Sequence, residues 1–164
     1  THKRKMINNY RIGKMLGEGC SGEVREVTNT QDNSKCALKI FLNHREMLVN
    51  ESYHQGQLVH QHIVRQIDAN TNAMLIDGDD RTNVGYIATE LLPKGELLSY
   101  LIGKGGLSAP IVKYYAMQFI DSINYMHRQG IAHRDLKLEN VLLDSNFNVK
   151  IADVGFACPI QSEN

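Results

Sequence analysis

One loop of the sequence concentrates residue types that could transfer a phosphoryl group. The stretch HRDLKLEN at residues 133–140 contains Asp135, Lys137 and Asn140, and a second acidic residue, Asp153, follows within DVG. Together these residues supply a base, a cation and two oxygen donors for a hard divalent cation. The alternative is a polar turn with no chemical role, but such a turn does not account for all four residues at this spacing.

A glycine-rich stretch near the amino terminus could cover a phosphate group. GEGCSGEV at residues 17–24 places Gly17, Gly19 and Gly22 ahead of Val24. Glycines let the backbone approach phosphate oxygens without a Cβ clash, and Val24 could cover an apolar ring. The same spacing occurs in ordinary hairpins and in dinucleotide-binding folds. Here a predicted strand follows the glycines, whereas a dinucleotide fingerprint opens a helix.

Lys39 introduces a charge into a strand that otherwise looks buried, since Leu38 and Ile40 flank it. A lysine that faces inward needs an anion, because an unpaired buried charge is costly. The candidate anions are Glu51, in the next predicted helix, and a bound phosphate. At about 4 Å the pair would attract by roughly 4 kcal/mol before desolvation, which is enough to order the helix but gives no net stability.

The elements that must position these residues divide the chain into a β-rich first part and a helical second part. A helix is predicted over residues 43–59, although its polar faces weaken the pattern. PKGE at residues 93–96 interrupts the pattern and predicts two domains, 1–92 and 93–164. The predicted strands of the first part cover residues 10–19, 22–30, 35–42, 64–76 and 85–91.

The second part begins with a predicted amphipathic helix over residues 108–129. Ser108 is its predicted cap, Pro110 lies in its first turn and Gly130 closes it. A loop and a hairpin over residues 141–152 follow, so the fold class is α+β. The helix has a predicted buried face with spacings of three and four, made of Val112, Tyr115, Ala116, Phe119, Ile120, Ile123 and Met126.

Composition argues against several other classes of protein. Lys plus Arg and Asp plus Glu both number 18, so the chain has no general attraction to nucleic acid or to a membrane surface. No apolar run approaches the roughly 20 residues that span a membrane. Cys20, Cys36 and Cys158 form no CxxC pair, which argues against a disulfide framework or zinc site and favours an intracellular, cytoplasmic location.

In order from about Tyr10 to Phe156, these motifs resemble a eukaryotic protein kinase, and Lys137 beside Asp135 resembles the serine/threonine type. The resemblance implies a two-lobed, protein-kinase-like fold with a complete β-rich N-lobe and a partial helical C-lobe, truncated within the activation segment. It also implies ATP and Mg²⁺ as cofactors and a protein substrate with a serine or threonine hydroxyl. Arg134 would help to bind an activation-loop phosphate.

The resemblance further implies a role for individual residues. Asp135 would be the catalytic base, and Lys137, Lys39 and Glu51 would complete the catalytic set. The implied Mg²⁺ ligands are Asn140 and Asp153. The residues implied to contact the nucleotide are Leu16, Gly17, Gly19, Gly22, Val24, Ala37, Lys39, Thr89, Glu90, Leu92, Glu96 and Leu142.

The chain departs from the family pattern at four points. Val154 stands where the family usually has Phe or Leu, and Gln55 replaces an apolar residue one turn after Glu51, so we expect both to weaken the active alignment. The Lys39–Glu51 spacing is short, which leaves Glu46 as the alternative partner. No Ala-Pro-Glu motif follows DVG. A non-catalytic nucleotide-binding or scaffolding pseudokinase is the second hypothesis, and a nicotinamide-dependent oxidoreductase is a distant third.

Overall fold

The computed structural model describes residues 5–19, 22–102 and 105–160. The chain divides into two compact units. The first unit comprises Thr1–Ser52 and Gln66–Leu91, and the second comprises Tyr53–Arg65 and Leu92–Asn164. The division therefore lies one residue from the predicted boundary at 92/93, but the segment Tyr53–Arg65 belongs to the second unit.

A closed antiparallel barrel forms the first unit. The strands are β1 (Met6–Ile7), β2 (Tyr10–Gly19), β3 (Gly22–Asn29), β4 (Lys35–Phe41), β5 (Gln66–Asp77) and β6 (Asp80–Glu90). The helix α1 (Arg45–Gln57) follows β4 in the chain. Around the barrel the strands follow the order β1-β2-β3-β4-β6-β5, and β1 closes it by pairing with both β2 and β5.

Strand β4 shows how alternation builds both the barrel core and the outer face. Cys36, Leu38 and Ile40 are buried in the barrel core. Ala37 and Lys39 point to the opposite face, because successive side chains of a strand alternate between the two sides, and both are half-buried. The strand therefore contributes three residues to the core while presenting Lys39 outside it.

Two buried tyrosines occupy the interior of the barrel. The rings of Tyr10 and Tyr86 meet edge to face, with their centroids 5.5 Å apart. Both hydroxyls donate to the exposed carboxylate of Asp68, at 3.4 Å from Tyr10 and 2.6 Å from Tyr86. Burial and the neighbouring Asp68 charge raise the pKa of Tyr10 to about 12. The phenols therefore stay neutral hydrogen-bond donors across the physiological range.

Two strand predictions in this unit need correction. Strand β6 begins at Asp80, five residues before the predicted start, because the turn uses only Gly78 and Asp79 and the polar residues that follow are paired with β5. Gly78 has φ +66°, a left-handed conformation that favours glycine, so it fixes the turn at this point. Strand β1 was not predicted, since two residues carry no periodic signal.

The second unit combines two small sheets with helices. The elements are β7 (Gly95–Glu96), α2 (Leu97–Ile102), α3 (Ala109–Arg128), β8 (Ile131–Ala132), a 3-10 turn (Leu138–Asn140), β9 (Val141–Leu143), β10 (Val149–Ile151) and β11 (Cys158–Pro159). One sheet has the order β10-β9-β7 and the other pairs β11 with β8. Helix α2 was not predicted, because its six residues, LLSYLI, are too few to show a helical period.

Helix α3 begins and ends close to the predicted residues. Ser108 is its N-cap, but the Ser108 side chain makes no capping hydrogen bond, so that part of the prediction is wrong. Pro110 lies in the first turn, as predicted. Gly130 has φ +72° and its amide donates to the carbonyl of His127 at 2.9 Å, which confirms the predicted closure.

The buried face of α3 is narrower than the predicted face. Tyr115 and Phe119 pack against β9 and β10, while Ile123 and Met126 join a second core cluster of this unit. The prediction is wrong for Val112, Ala116 and Ile120, which are exposed. Apolar residues at spacings of three and four form a broad stripe along the helix surface. The elements that pack against α3 cover only one side of this stripe. Among the described residues, none of the helices combines the length and apolar character needed to cross a membrane.

Candidate active site

Lys39 and Glu51 form a short ion pair in the first unit, in which the carboxylate is buried and the lysine is half-buried. The Nζ atom of Lys39 lies 2.7 and 2.9 Å from the two carboxylate oxygens of Glu51. The Glu51 side chain is 3% exposed and that of Lys39 is 14% exposed. The predicted alternative partner, Glu46, is exposed in the first turn of α1. Of the two candidates left open by the sequence, the structure pairs Lys39 with Glu51.

Strand pairing gives Lys39 its neighbours on the outer face of the barrel. Lys39 lies opposite Val24 of β3 on one side and Ile87 of β6 on the other. Ala37, two residues earlier on the same face, lies opposite Thr89. Four residues implied to contact the nucleotide therefore share one face of three adjacent strands.

The glycines at the end of β2 and the start of β3 differ in whether a Cβ atom could be accommodated. Gly22 has φ +150°, and a Cβ there would lie 1.9 Å from the carbonyl oxygen of Ile40. At Gly17 and Gly19 a Cβ would meet no described atom within 4 Å. Gly22 is therefore required by strand packing, while Gly17 and Gly19 leave open space beside the backbone. Cys20, within the same stretch, lies outside the described residues.

A loop of the second unit brings Asp135, Lys137 and Asn140 together. The Nζ atom of Lys137 lies 3.1 Å from Oδ2 of Asp135. The Nδ2 atom of buried Asn140 donates to both the backbone oxygen and Oδ2 of Asp135, at 2.9 and 3.2 Å. The hydrogen bond from Lys137 is the main reason that the pKa of Asp135 is lowered from its ordinary value, against a smaller opposing effect of burial.

His133 supports this loop as a structural residue. Its Nδ1 accepts a hydrogen bond from the amide of Asp135 at 3.2 Å. Its Nε2 therefore carries the ring proton, and it lies 3.1 Å from the carbonyl oxygen of Ala152. The amide of Ala152 in turn donates to the backbone oxygen of Asn140 at 2.8 Å. The imidazole thus ties the loop to the residue immediately before Asp153.

Asp153 adopts an uncommon backbone conformation beside a fully buried valine. Its φ is +56°, and its Oδ1 accepts a hydrogen bond from the amide of Gly155 at 3.2 Å. Left-handed backbone costs on the order of 1–2 kcal/mol for a residue other than glycine and often marks a functional position. Val154 has no exposed surface and packs with Ile63 and Met126, so its smaller side chain is accommodated in the core of the second unit.

The donor set of the second unit fits a magnesium ion that also binds phosphate oxygens. Within the described ranges, no group of three or more His, Cys, Asp or Glu side chains is placed to hold a metal. Mg²⁺ commonly takes one or two protein oxygen ligands and completes its shell with water and phosphates. Asn140 directs its amide nitrogen to Asp135, which leaves its side-chain oxygen for a metal, and Asp153 contributes a carboxylate.

Arg134 is engaged by the chain itself. Its φ is +65° and its Nε donates to the carbonyl oxygen of Phe156 at 2.7 Å. The contact joins the loop that carries Asp135 to the segment that follows Asp153, and the pairing of Cys158 with Ala132 holds the same two segments together. An exposed guanidinium in this place keeps further donors for an anion.

The remaining implied nucleotide contacts are distributed over both units. In the first unit, Leu16 is exposed, whereas the other members are half-buried: Val24, Ala37, Thr89 and Glu90. In the second unit, Leu92 and Leu142 are half-buried and Glu96 is exposed. Glu96 lies opposite Leu142 in the pairing of β7 with β9, so these two residues are neighbours.

One contact near the site was not predicted from the sequence. The buried side chain of Gln55 donates from Nε2 to the backbone oxygen of Val64 at 3.1 Å. The sequence showed that Gln55 was unusual, but every residue has a backbone carbonyl, so no sequence signal could have identified this partner.

Comparison with known proteins gives a consistent family. Residues 10–164 match the protein kinase domain family. The SNF1-related protein kinase catalytic subunit alpha KIN12 of Arabidopsis thaliana is 35% identical over 161 residues, which cover 93% of this chain and 30% of that protein. The serine/threonine-protein kinase ppk16 of Schizosaccharomyces pombe is 34% identical over 152 residues, which cover 92% of this chain and 21% of that protein.

A third relative is the human hormonally up-regulated neu tumor-associated kinase. It is 34% identical over 158 residues, which cover 95% of this chain and 22% of that protein. The chain thus spans less than a third of the length of these curated relatives.

Proposed function

Because the chain belongs to the protein kinase family, we propose that it binds MgATP and forms the phosphoryl-transfer site of a serine/threonine protein kinase. The observation that carries this proposal is the loop in which Lys137 and Asn140 both hydrogen-bond to Asp135. The Lys39–Glu51 pair of the first unit supports it. We keep the functional division at residues 92 and 93, with the β-rich lobe first and the catalytic loop in the second lobe.

In this proposal Lys39 binds the α and β phosphates. Its ammonium is held by a carboxylate that is itself buried, so its position is fixed before the nucleotide arrives. A preorganised cation costs little to reorient when charge develops on the phosphates. Gly17 and Gly19 contribute backbone amides, since their open Cβ positions let a phosphate approach closely.

The second unit contributes the metal ligands and the base. Asn140 and Asp153 hold Mg²⁺, which supplies charge neutralisation and orientation of the phosphates when it is bound. Asp135 accepts a hydrogen bond from the serine or threonine hydroxyl of a protein substrate and takes its proton on the carboxylate. The hydrogen bond from Lys137 lowers the pKa of Asp135 and so favours the ionised carboxylate, the form that can accept the hydroxyl proton.

The adenine and ribose contacts follow from the same assignment. Leu16, Val24 and Ala37 supply apolar surface for the ring, and Leu142 supplies it from the second unit. The segment from Thr89 through Glu90 to Leu92 offers backbone groups to the adenine, while Glu96 binds the ribose hydroxyls. A mostly apolar slot with a few directed polar groups is the usual character of a nucleotide pocket.

Calorimetric titration with ATP tests the proposal. We expect the chain to bind ATP, to bind it more tightly with Mg²⁺ present, and to lose the Mg²⁺ effect in Asp153→Asn. Glu139→Gln is the matched control, because it makes the same charge change at an exposed carboxylate beside Asn140. A wild-type chain that binds no ATP with or without Mg²⁺ would overturn the proposal.

Radiolabel transfer from ATP to a generic protein substrate separates catalysis from binding. If transfer occurs, we expect Asp135→Asn to abolish most of it while MgATP binding is kept, and Lys39→Ala to weaken both. Tight MgATP binding without any transfer by the full-length parent protein would instead support the non-catalytic, scaffolding alternative.

A further inference from the structure

Gln55 is a polar residue in a fully buried place. It lies in the last turns of α1, with only 3% of its surface exposed. Its backbone oxygen accepts the amide of Leu58 at 3.1 Å, and its side-chain Nε2 donates to the carbonyl of Val64 at 3.1 Å. Both ends of the residue are therefore used to hold the loop that follows the helix. An apolar side chain of similar length would fill the space but could not make the second bond.

The loop held by Gln55 lies along strand β10. The amide of Val64 donates to the carbonyl of Ile151, and the amide of Ile151 donates to the carbonyl of His62, both at 2.9 Å. The Nδ1 atom of His62 lies 2.9 Å from the carbonyl oxygen of Val149. Three hydrogen bonds thus fasten the three-residue loop stretch 62–64 to the three-residue strand β10. Val64, whose carbonyl accepts the hydrogen bond from Gln55, is also the residue whose amide donates to the carbonyl of Ile151.

Strand β10 leads directly into the proposed metal ligand. Ile151 is two residues before Asp153, and Ala152 between them is bonded to Asn140 through its amide and to His133 through its carbonyl. The backbone on either side of Ala152 is therefore fixed by contacts from two directions. Because Asp153 has a left-handed φ of +56°, it depends on its neighbours to hold that conformation.

We propose that Gln55 is a positioning residue for the metal site: its hydrogen bond to Val64 fixes the loop against β10 and so fixes the backbone that presents Asp153. This inference rests on the proposed function, which makes Asp153 a Mg²⁺ ligand. This proposal is the opposite of the expectation from the sequence that a polar residue at position 55 weakens the active arrangement. When a group that orients a metal-ligating residue is removed, the affinity of the site for the metal commonly changes.

The test compares two methionine substitutions on the same helix. Gln55→Met keeps the length of the side chain but removes the Nε2 donor. The Val64 carbonyl therefore loses its hydrogen bond from position 55. Gln57→Met is the matched control, because Gln57 is exposed and its Nε2 donates only within the helix, to the carbonyl of Tyr53 at 2.8 Å. ATP binding to the full chain is titrated by calorimetry at increasing Mg²⁺ concentration.

We expect Gln55→Met to raise the Mg²⁺ concentration for half-maximal enhancement of ATP binding by roughly tenfold. Metal-free ATP affinity should stay unchanged, as should both quantities in Gln57→Met. An unchanged or lower Mg²⁺ requirement in a folded Gln55→Met variant overturns the inference. A general loss of ATP affinity, with and without Mg²⁺, also overturns it, because that result indicates a purely structural role.

A second measurement keeps the inference testable if Gln55→Met does not fold. In the wild-type chain labelled with ¹⁵N, the side-chain amide protons of Gln55 should exchange with solvent at least about tenfold more slowly than those of Gln57. Equal exchange rates for Gln55 and Gln57 would show that the hydrogen bond from Gln55 to Val64, on which the inference depends, is not formed in solution. This measurement needs neither ATP nor Mg²⁺, so failure of MgATP binding in the wild type counts against the proposed function alone.

Discussion

Lys39 and Glu51 join strand β4 to helix α1 through a bidentate ion pair, with Nζ 2.7 and 2.9 Å from the two carboxylate oxygens. Both side chains are withdrawn from water, the carboxylate more than the ammonium. The cost of removing two charges from water is repaid only with close geometry and further hydrogen bonds, so such a pair favours one arrangement more than it adds stability. It therefore acts chiefly by fixing where the Lys39 ammonium lies.

Loss of the ion pair should lower the free energy of unfolding more when Lys39 is replaced than when Glu51 is replaced. Lys39→Met withdraws the ammonium from a carboxylate that is 3% exposed and should lower the free energy of unfolding by about 3 kcal/mol. Glu51→Gln should cost less, because the Lys39 side chain is longer and partly exposed. Urea denaturation of both single variants and of the double variant gives the coupling between the two residues.

Lys35 provides the control on the same strand. Its Nζ lies 2.8 Å from Glu26, but the Lys35 side chain is 60% exposed. Surface pairs contribute about 0–1 kcal/mol, so Lys35→Met should change the free energy of unfolding by no more than that. Equal losses in Lys35→Met and Lys39→Met would contradict the difference in burial on which the prediction depends.

Alanine substitutions of the glycines at the end of β2 and the start of β3 should separate effects on stability from effects on nucleotide binding. Gly22→Ala places a Cβ 1.9 Å from the carbonyl of Ile40 at a left-handed φ, and we expect the free energy of unfolding to fall by about 2 kcal/mol or more. Gly19→Ala meets no described atom within 4 Å, so its unfolding free energy should stay within about 0.5 kcal/mol of the wild type.

ATP titration completes the comparison between the two alanine variants. Gly19→Ala should reduce ATP affinity while the fold is kept, because the added Cβ occupies space beside the backbone that is proposed to meet phosphates. Gly17→Ala, which also has open space, should behave in the same way. Full ATP affinity in both variants would show that these glycines serve the hairpin alone.

Local patterns were sufficient for elements whose boundaries are set by turn residues and periodicity. Strands β2 and β3 and helix α1 lie within two residues of the predicted bounds. Long-range pairing could not be predicted: β1 exists because it pairs with residues of both β2 and β5. The exposure of Val112 and Ile120 on α3 has the same cause, because only the surrounding elements decide which side of an apolar stripe is covered.

The site was predictable where chemistry is carried by side chains at fixed spacing. The pairing of Lys39 with Glu51 was one of two alternatives derived from charge and a helix position. Contacts to backbone groups were not predictable, as the bonds from His133 to Ala152 and from Gln55 to Val64 show. Such contacts depend on which segments the fold brings together, and side-chain patterns do not specify this.

Asp135 should titrate at a higher pH when Lys137 is removed. The Lys137 hydrogen bond is the largest cause of the lowered pKa, so Lys137→Met should move the pKa of Asp135 upward, toward its ordinary value of 3.8. A lowered folded-state pKa gives stability above the unfolded pKa that is lost as the pH falls through the folded one. The wild type should therefore lose more stability on acidification than Lys137→Met does.

Carboxyl ¹³C chemical shifts measured against pH provide the direct readout for Asp135. Asp32 serves as an internal control, because its pKa is lowered by hydrogen bonds from Ser34 and should be the same in wild type and variant. Equal titration of Asp135 in both proteins would show that Lys137 does not hold this carboxylate in solution.

Cys36 should resist alkylation as long as the barrel is folded. It is 3% exposed in the core of the first unit, and burial, with the nearby charges of Asp32 and Asp68, raises its pKa to about 11. At pH 8 only about one such thiol in a thousand is ionised, and the thiolate is the reactive form. Mass spectrometry after iodoacetamide treatment should find Cys36 protected in buffer and modified in denaturant, while half-buried Cys158 reacts in both. Rapid native labelling of Cys36 would mean that the barrel opens much more often than its closed strand pairing indicates.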